Sequence, residues 1–160
     1  MKKSRQFHKN SGIWIIGQKE FIARTYDALD LVLTHDLGKK VTRYVRIIKE
    51  YDKTGMAADQ RLPTFYVGPR VWKSSTLWYA SGIVHEAVHS ELYRTNRRRI
   101  GFITYTPSKA WKGVEPERMC LRAQLQFLSD KGASHETIEH MWDLIKDPAY
   151  ASIPWSRRDW

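Results

Sequence analysis

Two histidines and a glutamate stand in a spacing that can bind a metal ion. The run reads His85, Glu86, Ala87, Val88 and His89. The apolar residues around it, and the serines at 74 and 75, predict a helix from near residue 77 to about residue 94. Residues four apart lie on one face of a helix, so both imidazoles can reach one zinc ion. Glu86 is offset around the helix, where it can act as general base on a water at the metal.

A catalytic zinc site needs a third protein ligand, which must come from elsewhere in the chain. The extended pattern H-E-x-x-H-x-x-G-x-x-H requires glycine at position 92 and histidine at position 95, but the chain has Leu92 and Thr95. The downstream candidates are Glu115, Glu117, Cys120, His135 and His140. The alternative interpretation of the motif is a helix that merely carries two histidines on a partly exposed face.

Glu117 is the best placed of these candidates. It lies in the first turn of a helix predicted over residues 116 to 130, on the face that carries apolar residues, so its carboxylate can point into the core. A helix N-terminus also favours a carboxylate without any metal. Glu115 is the reserve choice, and Cys120 is more typical of a small buried side chain than of a ligand. Gln124, two turns after Glu117, can support the site or simply pack in the core.

The remaining elements follow from hydrophobic spacing and from glycine and proline positions. Before the motif helix, we expect a helix over residues 21 to 33 that Gly38 closes, a helix leading into a short strand over residues 41 to 51, and a turn near residues 55 to 59. A strand at Thr64 to Val67 and an extended piece at Val71–Trp72 should follow. After the motif helix, we expect a basic solvated exit at residues 96 to 99, a loop over residues 100 to 113 and a last helix from Ser134 to about Leu144.

Three segments together resemble a known group of enzymes. They are Pro63-Thr64-Phe65-x-Val67-Gly68, Ile83-Val84-His85-Glu86-Ala87-Val88-His89-Ser90, and Trp111-x-Gly113-x-Glu115-x-Glu117-x-x-Cys120-x-x-x-Gln124. Over about residues 55 to 133, the chain resembles the gluzincin type of zinc metallopeptidase, and more closely small bacterial proteins of minimal gluzincin size. It departs from the N-E-x-x-S-D signature of thermolysin-like enzymes, because Leu121 stands where that signature has its aspartate.

The resemblance implies an α+β fold with a minimal zincin-like domain. A small sheet would pack on helices, with a sheet edge beside the active-site helix and a glutamate ligand on the following helix. Carried over residue by residue, His85, His89 and Glu117 are the Zn²⁺ ligands and Glu86 is the catalytic base. The predicted function is therefore that of a zinc-dependent hydrolase, a metallopeptidase acting on a peptide or protein substrate.

At 160 residues, one domain is the expectation. We expect a flexible basic arm over residues 1–11, a zincin-like catalytic domain over residues 12–147 and a C-terminal tail over residues 148–160. The strand at Thr64 to Val67 can pair with an extended peptide, although an ordinary strand fits equally well. The side chains that could donate a hydrogen bond to an oxyanion are Tyr79, Tyr93, Tyr105 and His140, each of which fits an ordinary surface or packing role better.

The chain is strongly basic, with 27 Lys and Arg against 17 Asp and Glu and a net charge of +10. One cluster, Arg94 and Arg97 to Arg99, follows the motif helix, and a second comprises Lys2, Lys3, Arg5 and Lys9. Together they can attract an acidic partner, or they can be solvated surface. An alternative function is thus a nucleic-acid or polyanion-binding module in which the histidine motif is incidental or structural. A third is a binding protein that keeps the peptidase scaffold without turnover.

The sequence also constrains the setting in which the protein works. The one cysteine excludes an intramolecular disulfide framework. The purely apolar runs reach about four residues, far short of the ~20 that a membrane-spanning helix requires. The basic start is followed by too short an apolar stretch for a secretory signal. We therefore expect no membrane span and a cytoplasmic location.

Overall fold

A mixed five-stranded sheet and six helices make up residues 3–148, the part of the chain that this computed structural model describes. The strands of the sheet are β1 (Ser4–His8), β2 (Ile13–Gly17), β3 (Ile47–Glu50), β4 (Gly55–Ala57) and β5 (Thr64–Val67). The helices are α1 (Lys19–Leu33), α2 (Gly38–Tyr44), α3 (Pro69–Trp72), α4 (Thr76–Thr95), α5 (Val114–Asp130) and α6 (His135–Lys146). A separate hairpin consists of β6 (Arg98–Ile100) and β7 (Ile103–Tyr105), and a 3-10 turn, Ser108–Ala110, precedes α5.

The sheet has a parallel centre and antiparallel edges. Its strand order is β1-β2-β3-β5-β4, in which β2, β3 and β5 run parallel while β1 and β4 run antiparallel to their neighbours. The register places Ile15 beside Ile48 and Ile48 beside Phe65, and all three are fully buried. Parallel strands need helical crossovers that cover them, which α1 and α2 provide between β2 and β3. The predicted α+β class, with a sheet packed on helices, is confirmed.

Helix α4 is held between two apolar clusters. Its residues Ile83, Val84 and Ala87 share the main core with strands β2, β3 and β5 and with α1. Further along, Val88 and Leu92 pack with Cys120 of α5. The predicted helices near residues 21–33, 77–94, 116–130 and 134–144 and the strand at 64–67 are all confirmed. Within residues 3–148, no helix is both long enough and apolar enough to cross a bilayer.

The N-terminal segment differs from the expected flexible arm. Residues Ser4–His8 form edge strand β1, paired with all five residues of β2. Arg5 lies over the ring of Trp14 at 3.8 Å, and Phe7 contacts the same ring. His8 is buried and bonded to Ser11 (2.8 Å) and to Asp30 of α1 (3.1 Å). Pairing of the backbone therefore orders a polar stretch that has almost no apolar content of its own. Lys2 and residues 149–160 of the expected tail lie outside the described residues.

Four shorter predictions are wrong. Val71–Trp72 belongs to α3, because Pro69 occupies the first helical position and favours a helical start. Gly38 opens α2 rather than closing α1, which ends at Leu33. Part of the expected turn at 55–59 is strand β4, which pairs with β5. The expected loop over residues 100 to 113 contains the end of β6 and all of β7, because Gly101 between Ile100 and Phe102 permits a hairpin turn. Residues 96–99 are exposed, as expected of a solvated exit.

Two glycines provide a matched test of the packing around α1 and α4. A Cβ on Gly17 would lie 2.3 Å from Phe21 Cδ1 and 2.9 Å from Glu50 Cβ, whereas one on Gly82 would meet only Val71 Cγ1 at 3.7 Å. We expect Gly17→Ala to lower the free energy of unfolding by about 1–3 kcal/mol through overpacking. Gly82→Ala, inside α4, should raise it by roughly 0.5–1 kcal/mol. Urea denaturation checks both values, and equal effects at the two positions would contradict the packing described.

Candidate metal centre

The two histidines of the motif point from the same side of α4. Ser75 starts this helix, since its Oγ accepts a hydrogen bond from the backbone N–H of Trp78 at 3.2 Å. The apolar positions of the motif face the core, which leaves His85 and His89 on the side that meets α5. Their rings lie with centroids 5.0 Å apart, one helical turn from each other. The helix thus presents two imidazoles to a common point.

Helix α5 brings a carboxylate to that point. Glu117 Oε1 lies 3.1 Å from Nε2 of His85, and Glu117 Oε2 lies 3.1 Å from Nε2 of His89. The Glu117 side chain is only 6% exposed, and the two imidazoles are 12% and 15% exposed. Because a buried carboxylate loses its hydration, it requires charged or donating partners. The structure therefore brings His85, His89 and Glu117 together in one largely buried site.

The other ring nitrogen of each histidine has an assigned acceptor. Ser81 Oγ donates to the carbonyl of Trp78 (2.7 Å), so it accepts from the amide nitrogen of Gln124 (3.0 Å). The amide oxygen of Gln124 is then the acceptor that faces His85 Nδ1, at 3.0 Å. His89 Nδ1 faces the backbone carbonyl of Trp111 at 3.1 Å, and a carbonyl can only accept. Both rings therefore carry their proton on Nδ1.

In the neutral form of each ring, an Nε2 lone pair is then directed at the Glu117 carboxylate, whereas in the protonated form Nε2–H donates to that carboxylate. Three acceptors facing one another repel unless a cation lies between them. Burial would lower the pKa of His85, but the charge of Glu117, followed by its hydrogen bond, raises that pKa above its usual range. Burial would likewise raise the pKa of Glu117, yet the charge and hydrogen bonds of the histidines hold it well below the ordinary value. The site has a strong affinity for positive charge, which either protons or a metal ion can supply.

The distances suit a zinc ion. Two ligand atoms that are each about 2.0 Å from a tetrahedral zinc are separated by about 3.3 Å, close to the observed Nε2–oxygen distances. A neutral imidazole held through Nδ1 by a carbonyl-type acceptor is also the usual form of a zinc ligand. Imidazole and carboxylate are both ordinary ligands of this metal. The residues present therefore fit a His, His, Glu zinc site.

Cys120 is an alternative third ligand. One ligand atom from each of His85, His89 and Cys120 lies within 4.8 Å of the others, so this group could also hold a metal ion. The thiol is fully buried, and burial, with the charges of Glu117 and Glu86, raises its pKa well above the ordinary range. Zinc binds the thiolate, which this environment makes costly to form before a metal is bound. Glu117 contacts both imidazoles directly, and this geometry favours it as the third ligand.

Glu86 is half-buried beside this cluster. Its charge contributes to the raised pKa of His85 and of Cys120, so it lies within electrostatic reach of both. It makes no hydrogen bond or ion pair with any residue in the described part of the chain. A carboxylate with unused acceptor capacity next to a metal site can take up a proton.

The other sequence candidates lie apart from the cluster. Glu115 is exposed and pairs with Arg118, and His135 is exposed and pairs with Glu139. His140 is also exposed and lies near the ring of Trp78.

The tyrosines proposed as oxyanion donors are equally dispersed. Tyr79 is fully buried and bonded to Thr25 at 2.9 Å, so its hydroxyl is not accessible. Tyr93 packs edge-on against Trp111, and Tyr105 belongs to the β6–β7 hairpin. The geometry therefore assigns none of them to an oxyanion.

Two groups that contact the site were not predicted from the sequence. The carbonyl of Trp111 is a backbone atom, and nothing in a residue's type reveals where its carbonyl points. Ser81 stands one turn before His85 on the same helix, so the spacing alone could have suggested it as a support. Gln124, which was open as a support or a core residue, contacts His85.

The chain was also compared with protein-family models, with curated proteins and with solved structures. None of the three comparisons found a match. Any function of this site is therefore inferred from its own geometry.

Cobalt(II) can distinguish the two possible third ligands. We expect the full chain to bind one equivalent of cobalt with visible bands of tetrahedral geometry but without the intense near-ultraviolet band of a cobalt–thiolate bond. Cys120→Ser should leave the spectrum unchanged, and Glu117→Gln should weaken binding strongly. A thiolate band that disappears in Cys120→Ser would instead assign the third ligand to Cys120.

The support of His85 can be tested by a pair of substitutions on α5. Gln124→Leu leaves the Nδ1–H of His85 without its acceptor, and we expect zinc affinity to fall by about 10–100-fold. Gln126→Leu is the matched control, because Gln126 is exposed on the same helix. Competition with a chromophoric chelator measures both affinities, and equal affinity in the two variants would contradict the assigned role.

Proposed function

We propose that the protein is a zinc-dependent hydrolase, specifically a metallopeptidase with a minimal zincin-like fold. His85, His89 and Glu117 would hold the zinc ion, and Glu86 would be the general base. The observation that carries the proposal is the convergence of two Nε2 lone pairs on one buried carboxylate, with both Nδ1 atoms already bonded to acceptors. This arrangement requires positive charge between the three groups, and a zinc ion would supply it. Protons on the imidazoles, which would form a buried ion pair with Glu117, are the alternative source of that charge.

Each residue would have a defined part in hydrolysis. A zinc ion bound here would act as a Lewis acid and lower the pKa of water. Glu86 would accept a proton from the attacking water as the water oxygen adds to the carbonyl carbon. It would then deliver that proton to the leaving amine nitrogen. Gln124 and the Trp111 carbonyl would keep the two imidazoles oriented throughout.

The sheet edge supplies a support for an extended substrate. Strand β5 lies between β3 and β4, so it cannot receive a peptide along an edge as the sequence suggested. Strand β4 is the edge of the described sheet, and it contacts α4. An extended peptide could therefore pair with the outer side of β4 and pass close to the motif helix. This relation between an antiparallel edge strand and the motif helix also supports the zincin-like fold. The cytoplasmic location stays a prediction.

A carboxylate-to-amide pair of variants tests the proposed base. We expect Glu86→Gln to keep one bound zinc per chain and to lose at least about 100-fold in the rate of peptide cleavage, as removal of a general base predicts. Glu115→Gln makes the same chemical change at an exposed position and should behave as the unaltered protein. Cleavage is followed by mass spectrometry of a mixed peptide library, and zinc by elemental analysis.

Two results would contradict the proposal. One is an unaltered protein that holds zinc but cleaves no peptide of the library, which would favour a binding protein on a metallopeptidase scaffold. The other is a Glu86→Gln variant that keeps full activity, which would exclude Glu86 as the base.

A further inference from the structure

The β6–β7 hairpin projects from the body of the protein just after α4. Its register pairs Arg98 with Tyr105 and Ile100 with Ile103. Gly101 has a φ of 59°, and Phe102 has a negative φ, as a type II′ turn requires. Strands of three residues give the hairpin a length of about 10 Å.

The tip of this hairpin is apolar and exposed. Phe102 is 100% exposed, Ile103 is 70% exposed and Ile100 is 66% exposed. Residues directly opposite in an antiparallel pair project from the same face, so Ile100 and Ile103 are neighbours there. Within the described chain, no other element covers these three side chains. Three adjacent apolar residues facing water suggest a partner that removes them from it.

The residues around the tip are positively charged. Between positions 94 and 113 the basic residues are Arg94, Arg97, Arg98, Arg99, Lys109 and Lys112, and this stretch contains no Asp or Glu. Arg97, Arg98 and Arg99 are all exposed. Tyr105 lies opposite Arg98, at the base of the hairpin. Apolar groups therefore occupy the tip, and cations with an aromatic side chain occupy the base.

We propose that the hairpin docks the protein on membrane surfaces rich in anionic lipids. Ile100, Phe102 and Ile103 would enter the boundary between headgroups and acyl chains, and the arginines would contact lipid phosphate and carboxylate groups. The length of the hairpin matches the ~5–10 Å depth of that boundary. Basic and apolar signals on one element are the combination that stable surface binding requires.

The chemistry of the tip favours lipid over other acidic partners. A nucleic acid would contact the arginines, but the aliphatic side chains of Ile100 and Ile103 gain nothing from a phosphate backbone. A protein partner would need a pocket shaped to this convex tip, whereas a lipid surface accepts any apolar tip of this size.

Docking of the hairpin would also bring the candidate metal centre close to the membrane surface. The hairpin connects α4, which carries both histidines, to Trp111, whose carbonyl faces His89. Thr106, directly after β7, donates to the carbonyl of Tyr93 on α4 at 2.9 Å. The hairpin is thus tied at its base to the helix of the site. The docking proposal does not depend on the proposed peptidase function, because lipid binding needs no metal.

Vesicle co-sedimentation tests the docking proposal. The full chain should bind vesicles of phosphatidylcholine with phosphatidylserine far better than vesicles of phosphatidylcholine alone. We expect the tip variant Phe102→Ser with Ile103→Ser to lower the apparent partition coefficient by about tenfold or more. Arg97→Gln with Arg98→Gln should lower it by roughly tenfold or more. Arg99 is left intact, because its Nε bonds to the carbonyl of Gly101 within the hairpin.

Matched controls separate docking from general attraction. Leu62→Ser removes an exposed apolar side chain elsewhere, and Lys39→Gln with Arg43→Gln removes two exposed charges from α2. Both should lower partition far less than the hairpin variants. Thermal unfolding of each variant, unchanged from the parent, verifies that the fold is intact.

An environment-sensitive fluorophore tests insertion directly. Because Cys120 is the one cysteine and is buried, a label can be attached at Phe102→Cys with little labelling elsewhere. A blue shift with anionic vesicles at position 102, but not in a Leu62→Cys control, supports insertion. The proposal is overturned if the unaltered chain does not bind anionic vesicles. It is also overturned if the tip variant binds as well as the parent, or if single-stranded nucleic acid, not lipid, shows the dependence on the tip.

Discussion

A buried carboxylate held between two imidazole nitrogens is the interaction on which the site depends. Glu117 approaches both Nε2 atoms at 3.1 Å, and each Nδ1 is bonded to its own acceptor. The arrangement requires α4 to present His85 and His89 on one side and α5 to cross it at its first turn. Apolar packing of Val88 and Leu92 against Cys120 holds the two helices at that crossing. The positions of the polar groups thus follow from an apolar contact one turn away.

The candidate metal centre concentrates carboxylates whose charge a cation would compensate. Glu117 and Glu86 bring two carboxylates, while Gln124 and the Trp111 carbonyl hold a proton of each imidazole on Nδ1. A buried cluster with uncompensated negative charge is costly, because its charged groups have lost their hydration. A zinc ion bound here would compensate both carboxylates at once. Burial would lower the pKa of His85, but the charge of Glu117 raises it above its usual range, so a proton on this imidazole would compensate the Glu117 carboxylate.

Helical spacing predicted the part of the site that lies on single elements. The histidine pair, the cap at Ser75 and the placement of Glu117 in the first turn of α5 all follow from residue type and spacing. Strand β1 could not be predicted this way, because its order comes from pairing with β2 and from the bonds of His8 rather than from its own composition. The carbonyl of Trp111 depends on how residues 106–113 return to α4, a tertiary relation. The β6–β7 hairpin depends on the turn at Gly101. Its strands are not indicated by residue type, because the arginines at 97 to 99 are typical of a solvated exit.

Anomalous diffraction at the zinc absorption edge tests the central claim most directly. Crystals of the full chain, grown with zinc, should show one anomalous peak within bonding distance of Nε2 of His85, Nε2 of His89 and the carboxylate of Glu117. The same measurement on Glu117→Gln crystals should show that peak lost or much weaker. A peak bonded to Cys120 instead of Glu117, or no peak between the two histidines, would contradict this account.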